Sequence, residues 1–145
     1  MKKLSFHTVF RTLIILMTVL VPSLVFAGEI IVVANKNVPV NTLTMDEVKA
    51  IFLGEKTKWS NDTKVTFVIL KTAEDEKAFL KEYVGKSPSQ FKMYWKNQIF
   101  TGKGSIPASF DNVNDLIDFV SKTDGAIAYI SNDIAVNNVK KMNVE

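Results

Sequence analysis

The chain has 145 residues and a formal net charge of +3 at pH 7, from 18 Lys and Arg against 15 Asp and Glu. Its one histidine is His7, its one arginine is Arg11, and it has no cysteine. Residues 28–145 therefore cannot build a Ser-His or Cys-His nucleophile, a thiolate–histidine zinc site or a bidentate arginine clamp. The composition argues against an enzyme and predicts neither a cofactor nor a metal site.

Residues 1–27 have the three parts of a secretory signal peptide. These parts are a positive segment with Lys2, Lys3 and Arg11, an apolar run over residues 13–21, and a small-residue cleavage site ending at Ala27. A transmembrane anchor is the alternative, but residues 13–27 are only 15 residues, interrupted by Pro22, whereas a membrane span needs about 20. We therefore predict cleavage after Ala27, export to the periplasm and no stable membrane insertion of the mature chain.

The charge of the exported domain differs from that of the whole chain. The signal peptide carries the whole excess of +3, so residues 28–145 contain 15 Lys against 15 Asp and Glu. A neutral domain without a basic stripe interleaved with aromatic residues is not typical of nucleic-acid binding. A segment of this size is expected to form one domain with a packed core.

The first part of the domain predicts a buried strand followed by a capped helix. Residues 29–34, EIIVVA, form an apolar run that suits a sheet covered on both faces. Thr44 and Glu47 have the spacing of a capping box, and Gly54 is predicted to end the helix. Apolar residues recur at helical spacing at Met45, Val48 and Phe52. Trp59 is expected to close the turn into the next strand and to pack on the core.

The middle of the domain predicts a second strand and two more helices. Residues 64–70, KVTFVIL, are rich in the β-branched and aromatic residues typical of strands. Thr72 is predicted to cap the second helix and Gly85 to end it, and the third helix is predicted from Ser87, with Pro88 at its first position. The apolar faces of these helices are Phe79, Leu80, Tyr83 and Val84, and then Phe91, Tyr94, Trp95 and Ile99. We interpret the second face as core, with a ligand platform as the alternative.

The last part predicts a connector, a helix and two strands. Residues 101–109, TGKGSIPAS, lack the P-loop pattern, and we predict a mobile connector at the rim of a cleft. A fourth helix is predicted from the helical spacing of Val113, Leu116, Ile117 and Val120. Residues 126–130 are expected to form a buried central strand, and residues 136–144 an edge strand. Alternating strands and helices predict an α/β fold, a three-layer sandwich with a mainly parallel sheet.

Three strings in the sequence resemble segments of a known family. They are IFLG-x-x-x-x-W at 51–59, YWKNQIFTGKGSIP at 94–107 and GAIAY at 125–129. They are similar to the second lobe of phosphate-type periplasmic solute-binding proteins, although Ala128 replaces a glycine of that family. The resemblance implies that residues 28–145 form one lobe of a periplasmic binding protein. It also implies phosphate or another small oxyanion as ligand and an ABC transporter as partner.

The candidate ligand site is the junction of Lys71, Thr72 and Ala73, which we call the 71–73 junction. In open α/β sheets, anions bind beyond the carboxyl ends of strands, at helix N-termini with free amides. By resemblance the junction occupies the place of the family's phosphate loop, with Lys71 in place of an arginine and the serine-glycine-threonine run missing. The acidic residues 74–76 follow directly, and alone they stabilise a helix N-terminus by about 0.3–1 kcal/mol each.

Two functions from different classes are therefore open. The first is a non-enzymatic periplasmic solute-binding-like protein that holds a small oxyanion such as phosphate at this helix N-terminus. The alternative is a ligand-free interaction module of the same fold, which docks to an envelope sensor or a transporter partner. Two-lobed binding proteins close around the solute, so a single lobe offers an open site unless a second copy or another protein supplies the facing wall.

Overall fold

The computed structural model describes residues 28–145, and the predicted signal peptide lies outside these residues. In the described part, no helix has both the length and the apolar character that a membrane crossing requires. The strands are β1 (Ile30–Ala34), β2 (Thr42–Leu43), β3 (Thr66–Leu70), β4 (Ala108–Phe110), β5 (Ala126–Ser131), β6 (Lys140–Lys141) and β7 (Asn143–Val144). The helices are α1 (Met45–Phe52), α2 (Ala73–Phe79), which continues into a π-helical turn (Leu80–Val84), α3 (Pro88–Phe100) and α4 (Val113–Lys122).

A five-stranded sheet forms the middle layer, in the order β4-β3-β5-β1-β6. β3 is parallel to both β4 and β5, whereas β1 is antiparallel to both β5 and β6. Four of the five strands therefore run in one direction, and the sheet is mainly parallel. β5 lies at its centre and is buried from Ala126 to Ile130, which confirms the predicted central strand.

One face of the sheet packs against α1, α2 and α3. Phe67 of β3 pairs with Ile127 of β5, so the two side chains share a face, together with Tyr129 two residues further on. On this face the Tyr129 ring stacks on Phe79 of α2 with 4.1 Å between ring centroids. The Phe67 ring lies 5.3 Å from Trp95 of α3. These contacts place a helical layer over the centre of the sheet.

The opposite face packs against α4. Phe110 of β4 pairs with Leu70, which points to the other side from Phe67, and the Phe110 ring lies 5.3 Å from Phe119 of α4. Asn35, the one buried polar side chain of the described residues, joins the end of β1 to this helix. Its Nδ2 donates to the carbonyl of Val120 at 2.9 Å. Helices thus cover both faces, and the predicted three-layer α/β sandwich is confirmed.

The helix caps and Trp59 agree with the prediction in most details. Thr44 and Ser87 both form complete capping boxes. Trp59 is buried, and its Nε1 donates to the carbonyl of Gly125 at 3.0 Å. The predicted apolar face of α1 is wrong at Met45, which is exposed. Met45 is the first residue of the helix, and the buried residues of α1 begin one turn later, at Val48.

Two segments differ from the sequence prediction. Residues 101–109 were expected to be a connector throughout, but Ala108 and Ser109 belong to β4, whose pairing with β3 defines it. A strand of three residues is too short for alternation of apolar and polar residues to reveal. The predicted edge strand at 136–144 is two short strands, β6 beside β1 and β7 in a separate two-stranded sheet with β2.

Candidate functional site

The 71–73 junction lies at the carboxyl end of β3, where the chain turns into α2. Lys71, Thr72 and Ala73 are all exposed, and Thr72 occupies the N-cap position of α2. The Lys71 backbone N–H donates to the carbonyl of Phe110 at 2.8 Å, so it is used by the sheet. The structure therefore keeps the three predicted residues together at an open surface, with the Lys71 amide already bonded.

The Thr72 hydroxyl is also bonded within the junction. Its Oγ1 donates to Oδ2 of Asp75 at 3.0 Å, and its side chain makes no capping hydrogen bond to the helix backbone. The prediction that Thr72 caps α2 is right for the position and wrong for the side-chain bond. A hydroxyl has one proton to donate, so an oxyanion must compete with the Asp75 carboxylate for it. The Glu76 N–H donates to the Thr72 carbonyl at 2.9 Å. The N–H groups of Ala73, Glu74 and Asp75, which precede the first helical hydrogen bond, are therefore the remaining backbone donors.

The charge around the junction is unfavourable for an anion. Glu74, Asp75 and Glu76 form the first turn of α2, and Lys71 is the neighbouring cation. Burial raises the pKa of the partly buried Glu76 carboxyl, and the positive charge of Lys71 opposes this shift. Lys71 therefore already interacts with a carboxylate of its own chain. When the acidic groups are ionised, a bound phosphate meets more negative than positive charge.

Tyr129 supports the junction, although the sequence indicated only its place in a buried strand. Its hydroxyl donates to the carbonyl of Leu70 at 2.7 Å, while its ring stacks on Phe79. Burial, followed by the nearby charge of Glu76, raises the pKa of the Tyr129 phenol, so the group stays protonated and remains a donor. Tyr129 thus fixes the last residue of β3 relative to α2. The GAIAY string marks this residue but does not reveal its partner.

A groove of about 640 Å³ lies beside the junction, and we call it the α3 groove. Its apolar lining comes from β3, α3 and the loop after α3, at Ile69, Phe91, Trp95, Ile99, Ile106 and Pro107. Three lysines line it as well, Lys71, Lys92 and Lys96, together with one carboxylate, Glu76. The interpretation of the aromatic face of α3 as core is correct at Phe91 and Trp95, which are buried, and wrong at Ile99, which is exposed. The two buried side chains also line this groove.

Solved structures of phosphate-transport proteins share the fold. An ABC-type phosphate transport receptor from Vibrio cholerae is 18% identical, with a TM-score of 0.62, over 81% of this chain and 46% of its own. A second structure is that of a Clostridium perfringens protein with bound phosphate, described as a phosphate ABC transporter substrate-binding protein. It is 22% identical, with a TM-score of 0.63, over 81% of this chain and 45% of its own. PstS from Borrelia burgdorferi is 16% identical, with a TM-score of 0.54, over 81% and 47%. The chain thus spans less than half the length of each.

The match to these proteins covers one of their lobes, which the described residues reproduce as a single three-layer unit. Among curated proteins, none matches the chain. A family model described as a PBP superfamily domain matches residues 3–144. The chain therefore belongs to the PBP superfamily and is a small single-lobe relative of the phosphate ABC transporter substrate-binding proteins.

Proposed function

We propose that this chain is a non-enzymatic periplasmic solute-binding protein that contacts a small oxyanion, such as phosphate, at Lys71, Thr72 and Ala73. One observation carries the proposal: these residues lie exposed where β3 ends and α2 begins, the place where α/β sheets bind anions. The Clostridium perfringens relative contains bound phosphate, which supports the class of ligand. The names of the relatives support an ABC transporter as the class of partner.

Alone, the lobe should hold phosphate only weakly. Two unit charges about 4 Å apart near a protein surface interact by about 4 kcal/mol at an effective dielectric constant of 20. A dissociation constant of about 1 mM corresponds to a binding free energy of the same size. One ionised carboxylate beside the anion, from Glu74 or Asp75, can therefore cancel a millimolar affinity. We expect a dissociation constant no tighter than about 1 mM.

Neutralising Glu74 and Asp75 together should strengthen phosphate binding. The double variant Glu74→Gln, Asp75→Asn removes two opposing charges and weakens the acceptor that now holds the Thr72 hydroxyl. We expect phosphate binding to tighten by about tenfold or more, which corresponds to about 1.4 kcal/mol. NMR titration with inorganic phosphate measures affinities in this range, and the shifted amides should be those of the first turn of α2.

A matched control removes the same charge elsewhere. The double variant Asp46→Asn, Asp115→Asn neutralises first-turn carboxylates of α1 and α4 and should leave phosphate binding unchanged. Equal gains in the two double variants mean that net charge, and not the 71–73 junction, governs binding. No gain in the Glu74→Gln, Asp75→Asn variant means that the proposed site is wrong.

The periplasmic part of the proposal rests on residues 1–27. If the signal peptide is cleaved after Ala27, the exported protein begins at Gly28. We expect N-terminal sequencing of protein from the periplasmic fraction to begin with GEIIVVA. An intact N-terminus starting at Met1, recovered from the membrane pellet, would contradict export by this route.

The alternative function, an interaction module that docks to an envelope sensor or a transporter, has support from one observation. The α3 groove presents apolar side chains and lysines beside the junction, and a protein partner can use such a groove without any phosphate. The same partner would cover one side of the junction, as the facing lobe does in a two-lobed binding protein.

A further inference from the structure

Positive charge and exposed apolar side chains are concentrated around α3. Residues 77–110 contain six lysines and one carboxylate, whereas the rest of residues 28–145 contains nine lysines and 14 carboxylates. Four of the five large hydrophobic side chains that are exposed in the described part also belong to this segment: Met93, Ile99, Phe100 and Ile106. A domain with no net charge therefore has one lysine-rich segment, and that segment also carries most of the exposed large hydrophobic side chains of the described residues.

The α3 groove combines these two properties at one place. Ile99 and Ile106 line it and are exposed, Ile106 by 78%, so burying them against a partner removes apolar surface from water. Lys92 and Lys96 lie one helical turn apart on the groove side of α3, and Lys71 lines the groove from the end of β3. Glu76 is the single carboxylate against these three lysines.

We propose that the α3 groove docks an acidic amphipathic segment of a partner protein, in which Asp or Glu residues flank one or two large apolar side chains. The apolar side chains contact Trp95, Ile99 and Ile106, and the carboxylates pair with Lys92 and Lys96. This inference rests on the interaction-module function above and gives it a surface and a class of partner. It does not depend on oxyanion binding at the 71–73 junction.

The charge of the groove argues against a second copy as occupant, and its concave shape argues against a lipid bilayer. A second copy docked through the same surface in a two-fold dimer places lysines against lysines, which costs electrostatic energy. A lipid bilayer is flat and is best reached by protruding side chains, and the most exposed of these, Phe100 at 92%, does not line the groove. A protein segment with complementary charge fits the concave lining of the groove.

The test uses the exported protein and a short fluorescein-labelled peptide in which glutamates flank leucine and phenylalanine, followed by fluorescence anisotropy. We expect saturable binding. Two further peptides separate the charged from the apolar contribution to binding. One has glutamine in place of glutamate, and the other has serine in place of leucine and phenylalanine. Each should bind at least roughly tenfold more weakly than the first peptide. No binding of the first peptide, or equal binding of the serine peptide, overturns the proposal.

Two pairs of variants locate the binding surface. Lys92→Glu with Lys96→Glu should weaken binding of the first peptide by roughly tenfold or more. Lys77→Glu with Lys81→Glu has the same spacing and charge change, lies outside the groove and should have little effect. Ile106→Ser should weaken binding, whereas Phe100→Ser should not. The assignment to the groove is overturned if the two double lysine variants lose the same affinity. It is also overturned if Ile106→Ser and Phe100→Ser lose the same affinity.

Three further measurements distinguish peptide docking from the rival occupants and from phosphate binding: vesicle pelleting, the oligomeric state and a phosphate titration. Pelleting with anionic phospholipid vesicles that depends on Phe100, or a dimer that Lys92→Glu with Lys96→Glu disrupts, overturns the proposal in favour of a membrane or a second copy. A phosphate titration of the same lysine variant should match that of the unmodified protein. If the first peptide does not bind the unmodified protein but the Glu74→Gln, Asp75→Asn variant binds phosphate more tightly, the groove proposal alone fails. If the peptide binds and that variant shows no gain in phosphate binding, the oxyanion proposal alone fails.

Discussion

Replacing Gly125 with alanine should destabilise the protein by about 3 kcal/mol or more. Gly125 has a φ of +74°, and a Cβ built there would lie 2.1 Å from the backbone carbonyl oxygen of Lys64. The left-handed conformation costs an alanine about 1–2 kcal/mol. Relieving the collision requires a backbone shift where the Gly125 carbonyl accepts two hydrogen bonds, from Thr66 N–H and from Trp59 Nε1, both at 3.0 Å. Each of these bonds contributes about 1 kcal/mol.

Gly85 provides the matched control for this variant. Its φ is +72°, but a Cβ there meets nothing within 4 Å, so Gly85→Ala should cost only the conformational strain of about 1–2 kcal/mol. Urea melts of both variants measure the two free energies of unfolding. If Gly125→Ala and Gly85→Ala cost the same, the close approach of Gly125 to Lys64 is wrong.

Replacing Ile127 with alanine should cost about 2–5 kcal/mol, because lost transfer free energy and a cavity add together in a packed core. Ile127 is fully buried in β5, between β3 and β1 at the centre of the sheet. The control is Ile106→Ala, at an exposed position, where a surface substitution should change stability by less than about 0.5 kcal/mol. Urea melts that show Ile127→Ala costing under about 0.5 kcal/mol would mean that β5 is peripheral.

Local sequence pattern predicts most of the fold. The capping boxes at Thr44 and Ser87, the apolar runs of β1 and β5, and the tryptophan that closes the turn after α1 each depend on residues close together in the chain. The elements that the pattern misses depend on pairing between distant short segments. β4 has three residues and is a strand only because β3 lies beside it, and the two residues of β7 pair with β2 near the start of the domain.

The candidate site is predictable in position but not in its internal bonding. Thr44 and Thr72 both precede a helix and both have a carboxylate three residues later, but only Thr44 has the glutamate that a capping box requires there. Glu47 reaches back to the Thr44 backbone N–H and leaves the threonine oxygen free to accept from the helix. Asp75 is one methylene shorter and accepts the Thr72 hydroxyl proton instead. The α3 groove depends on how the loop after α3 approaches that helix, which local pattern does not encode.

A calorimetric titration of the unmodified exported protein with inorganic phosphate tests most directly the claim that the 71–73 junction binds phosphate only weakly. The Thr72–Asp75 hydrogen bond and the acidic first turn of α2 predict a dissociation constant no tighter than about 1 mM. Micromolar phosphate binding by the monomer would contradict this charge argument. That result would show that one lobe alone is sufficient for transporter-type phosphate binding.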